Sequence, residues 1–218
     1  MIIDHTHPAY IEKWKACGQN RFNGAFYYSQ EIVKNIIPNV ETDRNWITVN
    51  IPPNGCDHAI VFIHNNLHPD RYEWLNRYKD LILICGVPET CEKVANFGKA
   101  IYLPLSVDKE YVKQFKQPKE ERRGAAFAGR SAKKKKELAV DLPDDIDHLS
   151  GIEREELLKE MAHYDTIYAV GRTAIEAKIL GCKLKAYDPR YPKVGIWKPL
   201  DNLDAAEMLQ QMLNEIDG

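Results

Sequence analysis

The sequence predicts an α/β protein of two Rossmann-like halves, each a doubly wound parallel sheet, that face each other across a cleft. Three observations lead to this fold class: short strand-like segments alternate with helical ones, several strands are apolar throughout, and the alternation is interrupted near the middle. The interruption is the charged, proline-containing stretch 117–124. We therefore expect an N-terminal domain over 1–117 and a C-terminal domain over 124–218, with the last helix packing back on the first domain.

The predicted strands are short, rich in β-branched or aromatic residues, and bounded by Gly, Pro, Asn or Asp. In chain order they are 46–51, 59–64, 81–86 and 100–105 in the first half, and 124–129, 145–151, 166–171 and 183–188 in the second. Strands that are apolar along their whole length are typical of sheets covered on both faces, so parallel sheets are expected.

Helical patterns fill the gaps between these strands. They cover 24–37, which ends before Pro38, and then 153–164, 173–180 and 203–216. The last of them has an apolar stripe with a period of about 3.6 residues, so we expect it to pack against a domain or against a second copy of the chain.

Composition and charge argue against some classes of function. The chain is 44% hydrophobic and 28% charged, an ordinary globular balance, and its formal net charge of −2 argues against a general nucleic-acid-binding protein. No apolar stretch is long enough to cross a bilayer. The five cysteines form no Cys-x-x-Cys pair and follow no signal peptide, which fits a reducing compartment, so a cytoplasmic protein is expected.

The segment 166–188 reads as strand, tight turn, helix and strand, and it has the strongest functional pattern. Gly171 allows a turn that a residue with a Cβ would resist, and Thr173 is placed to cap the helix. The exposed N–H groups of such a helix start, with Arg172 beside them, predict an anion site at the carboxyl edge of the sheet. Glu176 is placed to reach a ribose diol; alternatively, it forms only a capping box with Thr173, which needs no ligand.

This segment resembles the C-terminal domain of GT-B glycosyltransferases, in which a glycine turn opens a helix with a T-x-x-E-A motif. The residues that match are Thr173, Glu176, Ala177 and the later Gly181. The resemblance implies that the glutamate binds the ribose of a nucleotide-sugar donor and that the turn contacts its phosphates. Many retaining members have a second glutamate eight positions earlier, where this chain has Tyr168.

The stretch 125–138 resembles a second part of the same family, where a strand ends in Gly-Arg and a lysine follows. The resemblance implies that Gly129, Arg130 and one of Lys133–Lys136, taken here as Lys134, lie against the donor diphosphate. Alternatively, the lysine run is only the solvated start of a helix, where its positive charges oppose the helix dipole.

The first half resembles the acceptor side of these enzymes more loosely. Its glycine turn and helix imply that Asn23 and Gly24 line the acceptor side of the cleft. His64 ends a predicted strand and is expected to face the same cleft, where its imidazole would act as a catalytic base or bind the sugar.

The histidines support a rival from another class, a metal-dependent hydrolase. His5 and His7 form an H-x-H at the end of an expected first strand, which is how many such enzymes begin. His64, His148 and Asp188 also close predicted strands and would complete a ligand set. Against this, the H-x-H lies close to the terminus, and the chain is short for a barrel of about 250 residues. A third alternative is a protein that binds a nucleotide or nucleotide sugar without turnover.

The sequence therefore predicts a hexosyltransferase-like enzyme that moves a sugar from a nucleoside diphosphate sugar, by analogy a UDP-sugar, to an unknown acceptor. Cationic side chains and the helix start are expected to hold the diphosphate, so no metal or other cofactor is required. Neither a membrane nor a nucleic acid is indicated as a partner, and both a monomer and a homodimer stay open.

Overall fold

The computed structural model describes residues 1–8, 11, 24–49, 53–64, 72–129, 142–191 and 193–218. It confirms an α/β protein with two parallel sheets, one of five strands and one of four in the described part of the chain. The chain folds as two compact units. The first unit combines Met1–Pro104 with Asn202–Gly218, and the second is Leu105–Asp201.

The first unit holds the five-stranded sheet. Its strands are β1 (Ile2–Ile3), β2 (Asn45–Ile47), β3 (Ala59–Ile63), β4 (Leu81–Cys85) and β5 (Lys99–Tyr102). All neighbours pair in parallel, and the strands lie side by side in the order in which the chain forms them. The described strands of this sheet therefore lack the reversal of order that a doubly wound sheet would have.

The centre of the first sheet is formed by β3 and β4, in which every residue is buried. Successive side chains of a strand point to opposite faces, so each strand contributes to the packing on both sides of the sheet. On one of those faces Val61 and Leu83, which are direct cross-strand partners, share a core cluster with Val94. Burial on both faces is why these strands read as continuous apolar runs in the sequence.

The second unit holds the four-stranded sheet. Its strands are β6 (Arg123–Ala128), β7 (Asp147–Leu149), β8 (Tyr164–Tyr168) and β9 (Lys183–Lys185). They pair in parallel in the order β7-β6-β8-β9. The chain steps from β6 outward to β7, returns past β6 to β8 and continues to β9, so the strand order reverses between β6 and β8.

Six helices accompany the strands in the described residues. They are α1 (Gly24–Glu31), α2 (Pro88–Val94), α3 (Lys109–Lys113), α4 (Arg154–Met161), α5 (Arg172–Leu180) and α6 (Asn202–Asp217). The predicted single helix 24–37 is in fact three pieces, because α1 continues as a π-helical turn at Ile32–Ile36 and a 3₁₀ turn at Ile37–Asn39. Among the helices so described, none combines the length and the apolar character that crossing a membrane would need.

The last helix, α6, belongs to the first unit. Its first residue, Asn202, is buried and donates a hydrogen bond from Nδ2 to the buried Glu31 carboxylate at 3.0 Å. At the middle of the helix, Gln210 bonds both backbone groups of Glu41, accepting from its N–H at 2.6 Å and donating to its carbonyl at 3.3 Å. The helix also contacts the π-helical and 3₁₀ turns that follow α1, and Ala205, Leu209 and Leu213 of its apolar stripe are buried.

The first and last segments of the second unit lie side by side and are hydrogen-bonded to each other. Val107 pairs in parallel with Asp201, and the Val107 N–H donates to the Leu200 carbonyl at 3.1 Å. The Asp201 carboxylate also accepts from the N–H of Lys109, the first residue of α3, at 3.1 Å. These bonds tie together the two stretches of chain that enter and leave the second unit.

Candidate functional site

The carboxyl edge of the second sheet is the first candidate site, because the strand order reverses there. β6 and β8 are hydrogen-bonded neighbours, with Phe127 paired to Tyr168 near their carboxyl ends. The chain leaves β6 at Gly129 and enters the turn before α5 at Gly171. In open parallel sheets, ligands bind in the crevice that forms outside the carboxyl ends of the strands at such a reversal. The fold therefore brings the two predicted glycine turns to adjoining strand ends.

Gly129 is a glycine because there is no room for a side chain. A Cβ at this position would lie 2.7 Å from two ring carbons of Phe127 and 3.2 Å from the hydroxyl of Tyr187. The two rings pack with their centroids 4.6 Å apart, and Phe127 is fully buried. The packing of these rings alone accounts for the glycine, and it leaves the strand end without a side chain.

Gly171 is a glycine for a different reason. Its φ of 68° and ψ of −142° are a conformation that residues with a Cβ avoid, while no described heavy atom lies within 4 Å of the place where a Cβ would be. The backbone therefore needs the glycine, and the space beside the start of α5 is open. This is the geometry expected of a turn that a ligand approaches.

The prediction that Thr173 caps the helix is wrong. α5 begins at Arg172 with Gly171 as the N-cap residue and without a side-chain cap, so Thr173 is already inside the first turn. The Gly171 carbonyl accepts from the N–H groups of Ala174 and Ile175 at 3.1 and 3.3 Å. The sharp glycine turn lets the helix start two residues earlier than a Thr173 cap would place it. The capping box with Glu176, which was the alternative to a ligand role, is therefore not formed.

Glu176 is buried, and its carboxylate is held by arginine. Oε1 lies 3.0 Å from Nε and 2.9 Å from a terminal nitrogen of Arg154, and 3.7 Å from a terminal nitrogen of Arg172. Only 4% of the Glu176 side chain is exposed. A ribose diol would have to reach a carboxylate that is almost fully buried and already paired with Arg154, so the ribose role stays a prediction.

Arg154 is a site residue that sequence reasoning missed. It is the first residue of α4, which follows β7, so its backbone lies at the same carboxyl edge as the start of α5. The ring of Tyr111 lies 5.5 Å from its guanidinium carbon, a cation–π contact from α3. In the sequence, Arg154 is a positively charged residue shortly after the predicted strand 145–151, and no spacing pattern links it to Glu176.

Together these side chains form an Arg154–Glu176–Arg172 cluster in which two positive charges share one carboxylate. The arginine side chains are 17% and 10% exposed, so water screens them poorly. Both arginines are at helix starts, where the backbone dipoles add further positive potential. The cluster therefore favours an anion at this edge.

The carboxyl edge of the first sheet has a different character. His64 directly follows β3, and its Nε2 lies 2.5 Å from the carbonyl of Thr48, which directly follows β2. The His64 ring is 5.4 Å from that of Tyr28 and 6.3 Å from that of His5. Phe26 completes the group, 5.9 Å from His5. Phe26 and Tyr28 both lie in α1, which begins at Gly24, so this helix supplies two aromatic rings to the edge.

The hydrogen bond to Thr48 fixes the chemistry of His64. A carbonyl can only accept, so Nε2 carries the proton in this hydrogen bond. Burial lowers the pKa of His5 from its ordinary value of 6.5, against the opposing effect of the nearby Asp4 charge. His5 is therefore mostly neutral at pH 7, because its burial disfavours the protonated ring.

The ligand set of the metal-hydrolase alternative is divided between the two units. His5 and His64 lie close together in the first unit, whereas His148 and Asp188 belong to the second. Asp188 is buried, and its carboxylate accepts hydrogen bonds from the backbone N–H of Arg190 at 3.0 Å and from its guanidinium at 2.5–3.1 Å. Within the ranges that the structure describes, no group of three or more His, Cys, Asp or Glu side chains could hold a metal ion.

Three predicted site residues, Asn23, Arg130 and Lys134, lie outside the described residues. Their roles stay predictions. Comparison of the chain with protein-family models, with curated proteins and with solved structures found no match.

Proposed function

We propose that this chain is a glycosyltransferase of the GT-B type that takes its sugar from a nucleoside diphosphate sugar. The observation that supports this best is the meeting of Gly129 and Gly171 at neighbouring strand ends, where the order of the second sheet reverses. The start of α5 lies at the same edge. Strand ends without side chains, together with helix N–H groups, suit the close approach of a diphosphate.

The diphosphate would lie against the start of α5 and be held by Arg172, with Arg130 and Lys134 as further predicted contacts. These positive charges stabilise the negative charge that develops on the diphosphate as its bond to the sugar breaks. In other transferases a metal ion supplies that stabilisation, so no metal is assigned here. The Arg154–Glu176–Arg172 cluster lies beneath this position and keeps the local charge positive.

His64 is the proposed base of the first unit. Its imidazole would take the proton of the acceptor hydroxyl as the hydroxyl oxygen bonds to the anomeric carbon, while the bond from that carbon to the diphosphate breaks. The hydrogen bond from Nε2 to the Thr48 carbonyl orients the ring.

The test is a thermal-shift titration with UDP, GDP, ADP and CMP, each with and without a divalent metal. A ligand that binds only the native state raises the melting temperature in a saturable way. We expect one diphosphate to do so without metal, and its base would then direct a screen of nucleotide sugars for release of the free diphosphate.

Two arginine variants locate the binding. Arg130→Ala is expected to weaken the nucleotide by about 10- to 150-fold, the cost of losing hydrogen bonds to a charged group. Arg123→Ala removes the same charge from the exposed amino end of β6, where the guanidinium packs on the ring of Tyr164, and should leave the affinity unchanged.

Three results separate the alternatives. Equal effects of the two arginine variants would contradict the placement of the donor. Binding without release of the diphosphate from any sugar nucleotide would favour the non-catalytic binding protein. A shift with metal alone, lost in a His5→Ala/His7→Ala variant, would favour the hydrolase.

A further inference from the structure

Two buried hydroxyl groups form a hydrogen bond next to the residues that hold His64. Ser29 lies in α1 and Thr48 directly follows β2, and neither residue is exposed to solvent. The Ser29 Oγ and the Thr48 Oγ1 lie 2.5 Å apart. A buried hydroxyl that loses its partner is costly, so this bond is a firm link between α1 and the end of β2.

Thr48 is also tied to the neighbouring strand β1. Its N–H donates to the Ile3 carbonyl at 2.9 Å. Its hydroxyl lies 3.5 Å from the same carbonyl, which is long for a hydroxyl donor, so the bond to Ser29 is the stronger of the two side-chain contacts. The backbone of Thr48 is therefore held by β1, and its side chain is held by α1.

The contacts that hold His64 come from the same two elements. The Nε2 of His64 donates to the Thr48 carbonyl at 2.5 Å. The ring of Tyr28, the residue before Ser29, packs edge-on against the imidazole, with the centroids 5.4 Å apart and the planes at 82°. One contact thus comes from the end of β2 and the other from α1. The bond between Ser29 and Thr48 joins the two elements where these contacts are made.

We propose that Ser29 and Thr48 are positioning residues for His64, because their hydroxyl bond keeps the Thr48 carbonyl and the Tyr28 ring in fixed places around the imidazole. This inference rests on the proposed role of His64 as the base. A base takes a proton only from within hydrogen-bond distance, so an imidazole that has turned away from that position is inactive. The two hydroxyls act through His64 and contact no substrate, since both are buried.

The experiment follows the Nε2 proton of His64 in the full-length chain by heteronuclear NMR, with the signal assigned by its absence in His64→Gln. Exchange of a hydrogen-bonded proton with water requires the bond to open, so its rate reports how often the imidazole leaves the Thr48 carbonyl. Thr48→Val replaces the hydroxyl by a methyl group. We expect exchange to become about 2- to 10-fold faster, which corresponds to the loss of one neutral hydrogen bond.

Two further variants separate the hydroxyl bond from packing. Ser29→Ala removes a single oxygen from the other partner and should accelerate exchange by a similar factor, so it tests the proposal even if Thr48→Val does not fold. Thr48→Ser keeps the hydroxyl and should exchange at nearly the rate of the wild type. Exchange that is unchanged in Ser29→Ala and in Thr48→Val would overturn the proposal.

Thr90→Val is the matched control. Thr90 is another buried threonine of the first unit, but it lies in α2, and within the described ranges it has no hydrogen bond with the residues that hold His64. Its replacement should leave the exchange of the Nε2 proton unchanged, whatever stability it costs. An acceleration equal to that of Thr48→Val would mean that any buried hydroxyl of the unit has this effect, which contradicts a positioning role.

Activity distinguishes this inference from the proposed function. With a sugar nucleotide that the chain turns over, Ser29→Ala should lower kcat by about 2- to 10-fold and leave KM nearly unchanged, because the buried hydroxyl binds no substrate. Faster proton exchange in a chain that transfers no sugar would contradict the transferase and support the positioning of His64. Normal exchange and normal kcat in Ser29→Ala of an active transferase would contradict the positioning alone.

Discussion

The carboxyl edges of the two sheets offer different chemistry. At the second sheet, a glycine turn and the starts of α4 and α5 bring backbone N–H groups together with Arg154 and Arg172. At the first sheet, the strands β2 and β3 lead into Thr48 and His64, with aromatic rings beside the imidazole. The second edge offers positive charge to an anion, and the first can accept a proton.

The difference follows from the order of the strands. In the second sheet, connections leave the neighbouring strands β6 and β8 in opposite directions, so a crevice opens between them at the carboxyl edge. In the first sheet, the described strands lie side by side in chain order. At its carboxyl edge, His64 is hydrogen-bonded to the Thr48 carbonyl and lies beside the ring of Tyr28 from α1. The positively charged edge of the second sheet therefore results from the order of its strands, whereas the edge of the first sheet at His64 results from side-chain packing.

The largest effect is expected in the Arg154–Glu176–Arg172 cluster. Arg154→Leu leaves the more distant Arg172 as the one cation beside the buried Glu176 among the described residues, so the free energy of unfolding should fall by about 3–5 kcal/mol. The control on the same helix is Lys159→Ala, which breaks an exposed pair with Glu155 and should hardly change the free energy of unfolding. Urea denaturation measures both, and equal losses would mean that the buried cluster contributes no more than a surface pair.

A smaller effect is expected at the two glycine turns. Gly171→Ala should cost about 1–3 kcal/mol because of its backbone conformation, and Gly129→Ala a similar amount because its Cβ meets Phe127. The causes separate in a double-mutant cycle: Phe127→Leu should relieve Gly129→Ala and leave the cost of Gly171→Ala unchanged.

Gly195→Ala is the matched control for the turns. Its backbone is not in the left-handed region and nothing described lies within 4 Å of its Cβ position, so its stability should hardly change. If Phe127→Leu relieved both turn variants equally, the two glycines would not differ in the way described.

The smallest effect is in the pH dependence of the first unit. Hydrogen bonds that His58 donates to Asp80, and then to Asp43, raise its pKa above 6.5, whereas burial lowers the pKa of His5. His58 therefore contributes stability that is complete below 6.5 and is lost as the pH rises through its folded pKa. His5 acts in the opposite sense: stability falls as the pH drops below 6.5, where the unfolded chain takes up the proton first.

Urea midpoints at about pH 5.5, 6.5 and 8 test both histidines. His58→Gln should remove the loss of stability on the alkaline side, and His5→Gln the loss on the acidic side. A His58→Gln curve parallel to that of the wild type above 6.5 would contradict the assigned contacts.

Much of this fold could be predicted because strands that are buried on both faces read directly in the sequence. The predicted ranges 59–64 and 81–86 lie within one residue of β3 and β4. The order of the strands in each sheet could not be predicted, because no feature of the sequence after β6 indicates on which side of β6 the next strand will pair. The predicted doubly wound sheet implies a reversal of strand order, but its position between β6 and β8 emerged only from the structure.

At the site, local features were readable and distant pairings were not. Gly171 stands at its predicted turn, but the start of α5 is two residues earlier than the T-x-x-E spacing suggested, because the glycine itself takes the cap position. The contact between Arg154 and Glu176 spans the whole of β8, so no local pattern contains it. The bond that fixes the tautomer of His64 runs to a backbone carbonyl, which any residue at position 48 would supply.

The most direct test of the proposed donor site is hydrogen exchange, measured by peptide mass spectrometry with and without a saturating nucleoside diphosphate. The account predicts that exchange slows by about tenfold or more in peptides that cover 169–176, and that β3 is unchanged. If binding is evident from the melting temperature but protection from exchange is confined to the first unit, the donor site has been assigned to the wrong sheet.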